Sequence, residues 1–163
     1  MFFPTVRGQS LDGRLVTIPF SLAGEFNVLL VLFDPTHQFA VQTWLKPLKS
    51  IRRQYQRVRF YEVPTLGIMP PDDQVAQDRI VKQSVVLEDQ LSLETVITIY
   101  VQKERFECLL DIPHEDNLYV FLIDNAGEVL WRTEGNANPN KVTELVTLLD
   151  RCTALDDPWW MQD

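Results

Sequence analysis

Short apolar runs alternate along the chain with segments whose apolar residues recur every three or four positions. A short unbroken run is typical of a strand covered on both faces, and the longer spacing is typical of the buried side of a helix. Residues 27–33, 95–101 and 119–123 are runs of the first kind, and 95–101 is the richest in β-branched side chains. Residues 58–63 alternate well enough to form a fourth strand. The pattern therefore predicts four strands spread over the middle of the chain.

Helices are predicted in the intervals between these strands. The clearest begins near Thr36, which we predict as its N-cap, and continues to Tyr55. Pro47 lies inside it and is expected to kink it, because proline removes a backbone hydrogen bond. The final helix is predicted to have Asn138 as N-cap and Pro139 at its first helical position. Further helices are predicted over residues 72–87 and 103–110, and a loop is predicted from Pro64 to Pro71.

Turn signals near both ends of the chain predict two β-hairpins. Asp12 and Gly13 separate two extended segments near the start, and residues 124–127 form a turn after the strand at 119–123. Helices that connect strands imply crossovers, and hence a mostly parallel centre with helices on both faces. We predict an α/β fold: a central mixed sheet flanked by helices, with an N-terminal β-hairpin. One domain is expected over residues 1–155, followed by an acidic, aromatic tail at 156–163.

Composition and charge narrow the function classes. The chain has 163 residues, of which 45% are hydrophobic, so it can bury the core of one domain. Its formal net charge is −8. Nucleic-acid binding requires clustered cations, so no nucleic-acid partner is expected. No apolar run approaches the roughly 20 residues that span a bilayer, and the first residues resemble neither a secretory signal nor a transit peptide.

The two cysteines are far apart in the sequence. Cys108 and Cys152 form no Cys-x-x-Cys pair, and neither lies in a Cys/His cluster with zinc spacing. We expect both to be small buried hydrophobic residues in a reducing compartment, although the spacing alone leaves a disulfide between them open. No metal or organic cofactor is expected.

Two local strings resemble the thioredoxin-like fold. Residues 121–129 read Phe-Leu-Ile-Asp-Asn-Ala-Gly-Glu-Val, similar to the strand pair near the end of that fold, and Phe3-Pro4 followed by Leu11-Asp12-Gly13 is similar to the start of peroxiredoxin domains. The resemblance implies redox cysteines where the first crossover helix begins, but residues 34–41 contain none. It also implies a cis-proline near Leu118, where this chain has no proline. Thiol-disulfide exchange and peroxidase activity are therefore not expected.

A narrower resemblance comes from Trp44-Leu45-x-Pro47 and from residues 60–64, which read Phe-Tyr-Glu-Val-Pro. These are similar to the thioredoxin-like assembly factors of the mitochondrial ATP synthase membrane sector, the ATPase complex assembly protein "ten" family. The resemblance implies a non-catalytic chaperone that binds the newly made proton-channel subunit. It places the chain in a bacterial cytoplasm, peripheral to the membrane, or in the mitochondrial matrix after removal of a presequence.

Several residues are candidates for partner binding, and the binding surface is expected to include the basic helix face and the loop after Pro64. Four cations step by three and four residues and are predicted to share one helix face: Lys46, Lys49, Arg53 and Arg57. One interpretation is a docking stripe that binds either an acidic partner or an anionic membrane surface. The other is an ordinary solvated helix face. Glu62 is either half of a buried ion pair with a neighbouring arginine or a binding residue. Trp159 and Trp160 either pack onto the domain or contact a partner.

Two alternatives to an assembly factor remain. One is a divergent peroxiredoxin-like thiol enzyme that uses Cys108, although this residue falls late in its predicted helix, where the helix dipole disfavours the thiolate. The other is a small-ligand site at the start of the first crossover helix. There His37 is expected to be a surface or capping residue, and a general base is the functional alternative.

Overall fold

The computed structural model describes residues 1–84 and 95–154. The strands of this part of the chain are β1 Val6–Ser10, β2 Leu15–Ile18, β3 Phe26–Leu32, β4 Val58–Gly67, β5 Ile97–Val101, β6 Tyr119–Asp124 and β7 Val129–Glu134. The helices are α1 Gln38–Gln54, α2 Pro71–Ser84, α3 Lys103–Leu109 and α4 Pro139–Ala154, and a 3-10 turn, Pro35–His37, precedes α1. The predicted tail at 156–163, with Trp159 and Trp160, lies outside the described residues.

The described strands form one mixed sheet in the order β2-β1-β5-β4-β3-β6-β7. Its centre is parallel, with β4 paired to β3 on one side and to β5 on the other. The remaining pairs are antiparallel: β1–β2 and β6–β7 are hairpins at the two edges, and β1–β5 and β3–β6 join these hairpins to the centre. The predicted α/β class, the mixed central sheet and the N-terminal hairpin are confirmed. The parallel part is confined to the centre and is smaller than the pattern indicated.

Each face of the sheet has its own hydrophobic core. Alternate residues of β3 enter opposite cores, because successive side chains of a strand point to opposite faces. One core contains Leu29 together with Phe106 of α3. The other contains Leu30 together with Trp44 of α1 and Leu145 of α4. Burying a large apolar side chain stabilises a fold by roughly 1.5–3 kcal/mol, so these two cores fix α1 and α3 on opposite faces.

Several predicted boundaries differ from the structure. Asp34, and not Thr36, caps the turn before α1. The segment after Pro64 was predicted as a loop, but β4 continues to Gly67, because Thr65 pairs with Ile99 in β5 and the next two residues pair in the same register. The second helix begins at Pro71, and its predicted end near residue 87 lies outside the described residues.

The start of α4 is confirmed as predicted. The backbone N–H of Lys141 donates to the side-chain oxygen of Asn138 at 2.8 Å, which is the geometry of an N-cap. Pro139 occupies the first helical position, where its missing N–H leaves no hydrogen bond unmade. The signals that define this helix start are local in sequence, so sequence alone placed it correctly.

Candidate functional site

In the segment that joins β3 to α1, the side chains form hydrogen bonds with the segment's own backbone and with one another. Asp34 accepts hydrogen bonds from the backbone N–H of Thr36 at 2.8 Å and from its hydroxyl at 2.7 Å, and these bonds lower the pKa of the Asp34 carboxyl. The N–H of Phe33 donates to Nδ1 of His37 at 3.2 Å. His37 is buried, so the expected surface position is wrong. It does occupy the N-cap position of α1, but its ring accepts from the backbone N–H of Phe33 and does not cap the helix. This segment therefore presents neither a sulfur nor a free side-chain base.

Both cysteine sulfurs lie outside this segment and form no disulfide. Cys108 is an exposed residue of α3, and Cys152 is a partly buried residue of α4. The expectation that Cys108 packs in the core is wrong, because Phe106 and Leu110, four residues apart, take the buried side of this segment and leave Cys108 facing outward. Burial raises the pKa of the Cys152 thiol, with Asp124 adding to the effect, and this disfavours the reactive thiolate.

Glu62 lies in the central strand β4 and is 7% exposed. The side-chain amide of Gln38, the first residue of α1, donates to Oε2 of Glu62 at 3.2 Å. Burial raises the pKa of the Glu62 carboxyl, and the hydrogen bond from Gln38 acts in the opposite direction. Within the described chain Glu62 therefore has an amide partner and not the arginine that the ion-pair interpretation required.

A shallow cleft of about 60 Å³ lies beside this pair, between the start of α1 and the helix α2. Its walls are mostly apolar and come from the ends of β3 and β4, from Pro35 and Gln38, and from Ile80 and Val81 of α2. Small-molecule sites usually measure about 300–1,000 Å³. The cleft therefore suits one side chain of a larger partner better than a free ligand.

Exposed apolar side chains lie near this cleft in the chain. Phe39, which follows Gln38, is 77% exposed, and Ile68, just beyond the end of β4, is 73% exposed. Ile80 of α2 is also exposed and lines the cleft itself. The sequence indicated the segment after Pro64 as part of a binding surface, but the cleft itself was missed because the second half of β4 was interpreted as a loop. The apolar content of residues 64–68 was the available signal.

The predicted basic stripe is only partly formed. Lys46 and Arg53 are exposed on α1, opposite its buried residues, and Lys49 is half-buried on the same side. Arg57 does not belong to this face, because α1 ends at Gln54 and Tyr55 has extended backbone angles. We name the three α1 residues the basic stripe: Lys46, Lys49 and Arg53.

Arg57 has a different role from the one predicted. Its Nε donates to Oε2 of Glu25 at 2.8 Å, and its guanidinium lies 5.5 Å from the centre of the Phe26 ring. These contacts join the turn after α1 to the beginning of β3. Arg57 is therefore half-buried and already engaged in an ion pair, which makes it a poor contact residue for a partner.

A polar cluster at α3 was not anticipated. Lys103 donates to Oε1 of Glu115 at 2.7 Å and lies 5.8 Å from the centre of the Phe33 ring. Glu107 has a buried carboxylate oxygen without a hydrogen-bond donor. Burial and the nearby Glu115 raise the pKa of Glu107, whereas Lys103 lowers the pKa of Glu115. The cluster can therefore hold one proton between two carboxylates, and no motif in the sequence marked Glu115 as a partner.

The described chain has neither a group of side chains that could hold a metal ion nor a helix that could span a membrane. Over residues 1–84 and 95–154, no three His, Cys, Asp or Glu side chains come together in a way that could hold a metal ion. None of the helices in these ranges combines the length and the apolar character that crossing a bilayer requires.

Comparison with known proteins gives a likeness of fold. No family model matches the chain, and no curated protein matches it in sequence. Among solved structures it is similar to BsSco, a member of the Sco family of cytochrome c oxidase assembly proteins, with 15% identity, a TM-score of 0.60 and 95% of each chain covered. It is also similar to copper-bound ScoI from Arabidopsis thaliana, with 14% identity, a TM-score of 0.60, and 93% of this chain and 99% of that one covered.

A third similar structure is the lipoprotein thioredoxin Etrx1 from Streptococcus pneumoniae, with 9% identity and a TM-score of 0.59 over 89% of this chain and 99% of that one. At sequence identities this low, structural similarity shows a shared fold but not a shared activity. The strand order, the helices on both faces of the sheet and these three likenesses agree with the resemblance in residues 121–129. The described chain has the thioredoxin-like fold.

Proposed function

We propose that this chain is a non-catalytic assembly factor, a chaperone that binds one subunit of a membrane-protein complex. The observation that carries the proposal is the start of α1, where Asp34 and His37 engage the backbone and no sulfur is present. A thiol at that place would gain thiolate character from the helix N-terminus. Without that thiol, the start of α1 has no cysteine for thiol-disulfide exchange. This favours a binding role for the surface around it.

The proposed binding surface combines the cleft and its apolar surroundings. Phe39 and Ile68 are large side chains left mostly in water, and exposed apolar groups of this kind mark interaction sites when they are grouped. The partner that fits them is an apolar segment of a membrane subunit before it enters its complex. The basic stripe on α1 adds positive charge, which suits the anionic membrane surface near which such a subunit is made.

The candidate complex is the ATP synthase membrane sector. This finer proposal rests on the resemblance of Trp44-Leu45-x-Pro47 and of residues 60–64 to its assembly factors. In the structure Trp44 is a core residue whose Nε1 donates to the carbonyl of Gly135 at 2.9 Å, and Pro64 lines the cleft. One similar structure belongs to a family of cytochrome c oxidase assembly proteins, so assembly of a membrane complex is a role that this fold carries elsewhere.

The proposal is tested by affinity capture from detergent-solubilised membranes of the source organism, followed by mass spectrometry of the bound proteins. We expect recovery of a membrane-embedded subunit, with the proton-channel subunit as the first candidate. Phe39→Asp should reduce its recovery by about tenfold, the effect of losing a major apolar contact at an interface. Phe20→Asp is the matched control, because Phe20 is 68% exposed and lies in the loop after β2.

Two results would contradict the proposal. Recovery of no membrane subunit by the wild type would remove the assembly role. Equal recovery by Phe39→Asp and Phe20→Asp would remove the cleft surface from it. Recovery of a subunit from another membrane complex would keep the assembly role and replace the ATP synthase as its target.

A further inference from the structure

A second and larger cavity, of about 290 Å³, lies at the opposite end of β4. It exists because of strand register. Thr65 of β4 pairs with Ile99 near the start of β5, so the first residues of β4, from Val58 to Tyr61, extend beyond the beginning of β5. On the other side, β1 ends at Ser10 opposite Ile97. Among the described strands, none fills the resulting gap between the β1–β2 hairpin and the start of β4.

The polar wall of this cavity is positively charged. Arg52 comes from α1, Arg59 from β4 and Arg14 from the turn between β1 and β2, and among the described residues that line the cavity none is a carboxylate. These three residues are distant in sequence, and the fold brings them to one cavity. In a chain with a formal charge of −8, a cavity lined by three guanidinium groups is a strong local reversal.

Two of these arginines are available to a ligand. Nη1 of Arg59 donates to the carbonyls of Gln56 at 2.7 Å and Val58 at 2.9 Å, which holds its guanidinium in place. Its remaining nitrogens donate to no described residue. Arg52 is half-buried and makes no hydrogen bond or ion pair with the described residues. Arg14 has an ion pair with Asp12 at 3.0 Å and completes the wall.

The rest of the lining is apolar and held in position. Leu22, Phe60 and Ile97 supply hydrocarbon surface. The hydroxyl of Tyr61 accepts a hydrogen bond from the backbone N–H of Ala23 at 3.0 Å, which fixes the loop after β2 against β4. The cavity therefore joins fixed positive charge to an apolar floor, and its volume is at the lower end of the usual range for small-molecule sites, about 300–1,000 Å³.

We propose that this cavity binds a small organic anion, with its phosphate or carboxylate group on Arg52 and Arg59 and its apolar part against Phe60 and Leu22. The planar fork of a guanidinium matches both oxyanions in a bidentate way. None of the residues that line this cavity lines the cleft beside Gln38, so the anion site is separate from the proposed partner surface.

The test is isothermal titration of the full chain with four probes: phenyl phosphate, benzoate, phenol and inorganic phosphate. We expect one of the two organic anions to bind measurably more tightly than phenol and than inorganic phosphate, and the stronger of the two identifies the oxyanion. Arg52→Gln should weaken that binding by about tenfold, since it removes a charge-assisted contact. Arg151→Gln is the matched control, because Arg151 is an exposed arginine in the last turn of α4 and does not line the cavity.

Three outcomes would overturn the proposal: neither organic anion binds, phenol binds as tightly as the anions, or Arg151→Gln weakens binding as much as Arg52→Gln does. Thermal unfolding of each variant shows whether it is folded. If Arg52→Gln is unfolded, Arg59→Gln replaces it with the same expected loss.

Discussion

The side-chain amide of Gln38 donates a hydrogen bond to the buried carboxylate of Glu62 across 3.2 Å. This contact ties the first residue of α1 to the central strand β4, at the edge of the cleft that we propose for partner binding. A buried carboxylate with one neutral partner is destabilising when it is charged. The pair therefore links the protonation of one group to the stability of the site.

Glu62→Gln is predicted to stabilise the fold at neutral pH. Burial raises the pKa of Glu62 in the folded chain above its usual 4.5, so the folded state holds this proton more tightly than the unfolded state does. Stability from this group is complete below the unfolded pKa and is lost as the pH rises through the folded one. Removing the charge should increase the free energy of unfolding at pH 7 by on the order of 1 kcal/mol.

Urea unfolding of both proteins between pH 4 and pH 8 measures this difference. The advantage of Glu62→Gln should disappear toward pH 4. Glu128→Gln, at an exposed position in the turn before β7, is the control and should show no such trend. A Glu62→Gln variant that is less stable than the wild type at pH 7 would contradict the assignment of Glu62 as a destabilising buried charge.

Tyr55→Phe is predicted to lower the free energy of unfolding, because it removes a hydrogen bond between the end of α1 and α4. The Tyr55 hydroxyl donates to the carboxylate of Asp150, and burial together with this partner raises the pKa of Tyr55 to about 12. Loss of one such hydrogen bond costs roughly 0.5–1.5 kcal/mol. A double-mutant cycle with Asp150→Ala, measured by urea unfolding, isolates the pair. A coupling energy of zero would show that the hydrogen bond does not stabilise the fold.

Sequence reasoning was most accurate where the signal was local. The start of α4 followed from Asn138 and Pro139 alone, and the turn at Gly13 followed from its neighbours. It was wrong where the outcome depended on distant partners. Residues 65–67 extend β4 because β5 lies beside them, and the apolar content of residues 64–68 does not by itself reveal that neighbour. The cavity lined by Arg52 and Arg59 likewise results from strand register, so it could not be predicted from composition or residue spacing.

The site was predictable in part for the same reason. The absence of cysteine at 34–41 is a fact of the sequence. The partner of Glu62 was not predictable, since an arginine and an amide were both reasonable choices and only the packing of α1 on β4 decides between them. The basic stripe was overextended by one residue, because its spacing of three and four was continued to Arg57 although the apolar pattern of the helix reaches only to Tyr55 and the helix ends at Gln54.

Charge reversal on the basic stripe is predicted to weaken association with anionic membranes. Lys46→Glu combined with Arg53→Glu should weaken binding to vesicles of phosphatidylserine and phosphatidylcholine, measured by flotation, by roughly thirtyfold or more, since each of the two cations contributes about 1 kcal/mol near such a surface. The reduction should fade at high salt. Arg7→Glu combined with Arg105→Glu changes the net charge equally at exposed positions off α1 and is the control. Wild-type flotation that is equal with neutral and anionic vesicles would contradict a membrane role for the stripe.

Cys108→Ser is predicted to leave peroxide consumption unchanged and negligible. Cys108 is exposed, but it is the penultimate residue of α3, where the negative end of the helix dipole opposes a thiolate. Peroxide consumption with a thiol reductant measures this for the wild type and the variant side by side. A measurable wild-type rate that Cys108→Ser abolishes would establish the peroxiredoxin-like alternative instead of the binding role.

The central claim is that partner binding does not depend on a cysteine thiol. A chain in which serine replaces both cysteines tests this claim most directly. Affinity capture with the Cys108→Ser, Cys152→Ser variant should recover the same membrane subunit as the wild type and in the same amount. A subunit that the wild type recovers and the cysteine-free variant loses would contradict the account.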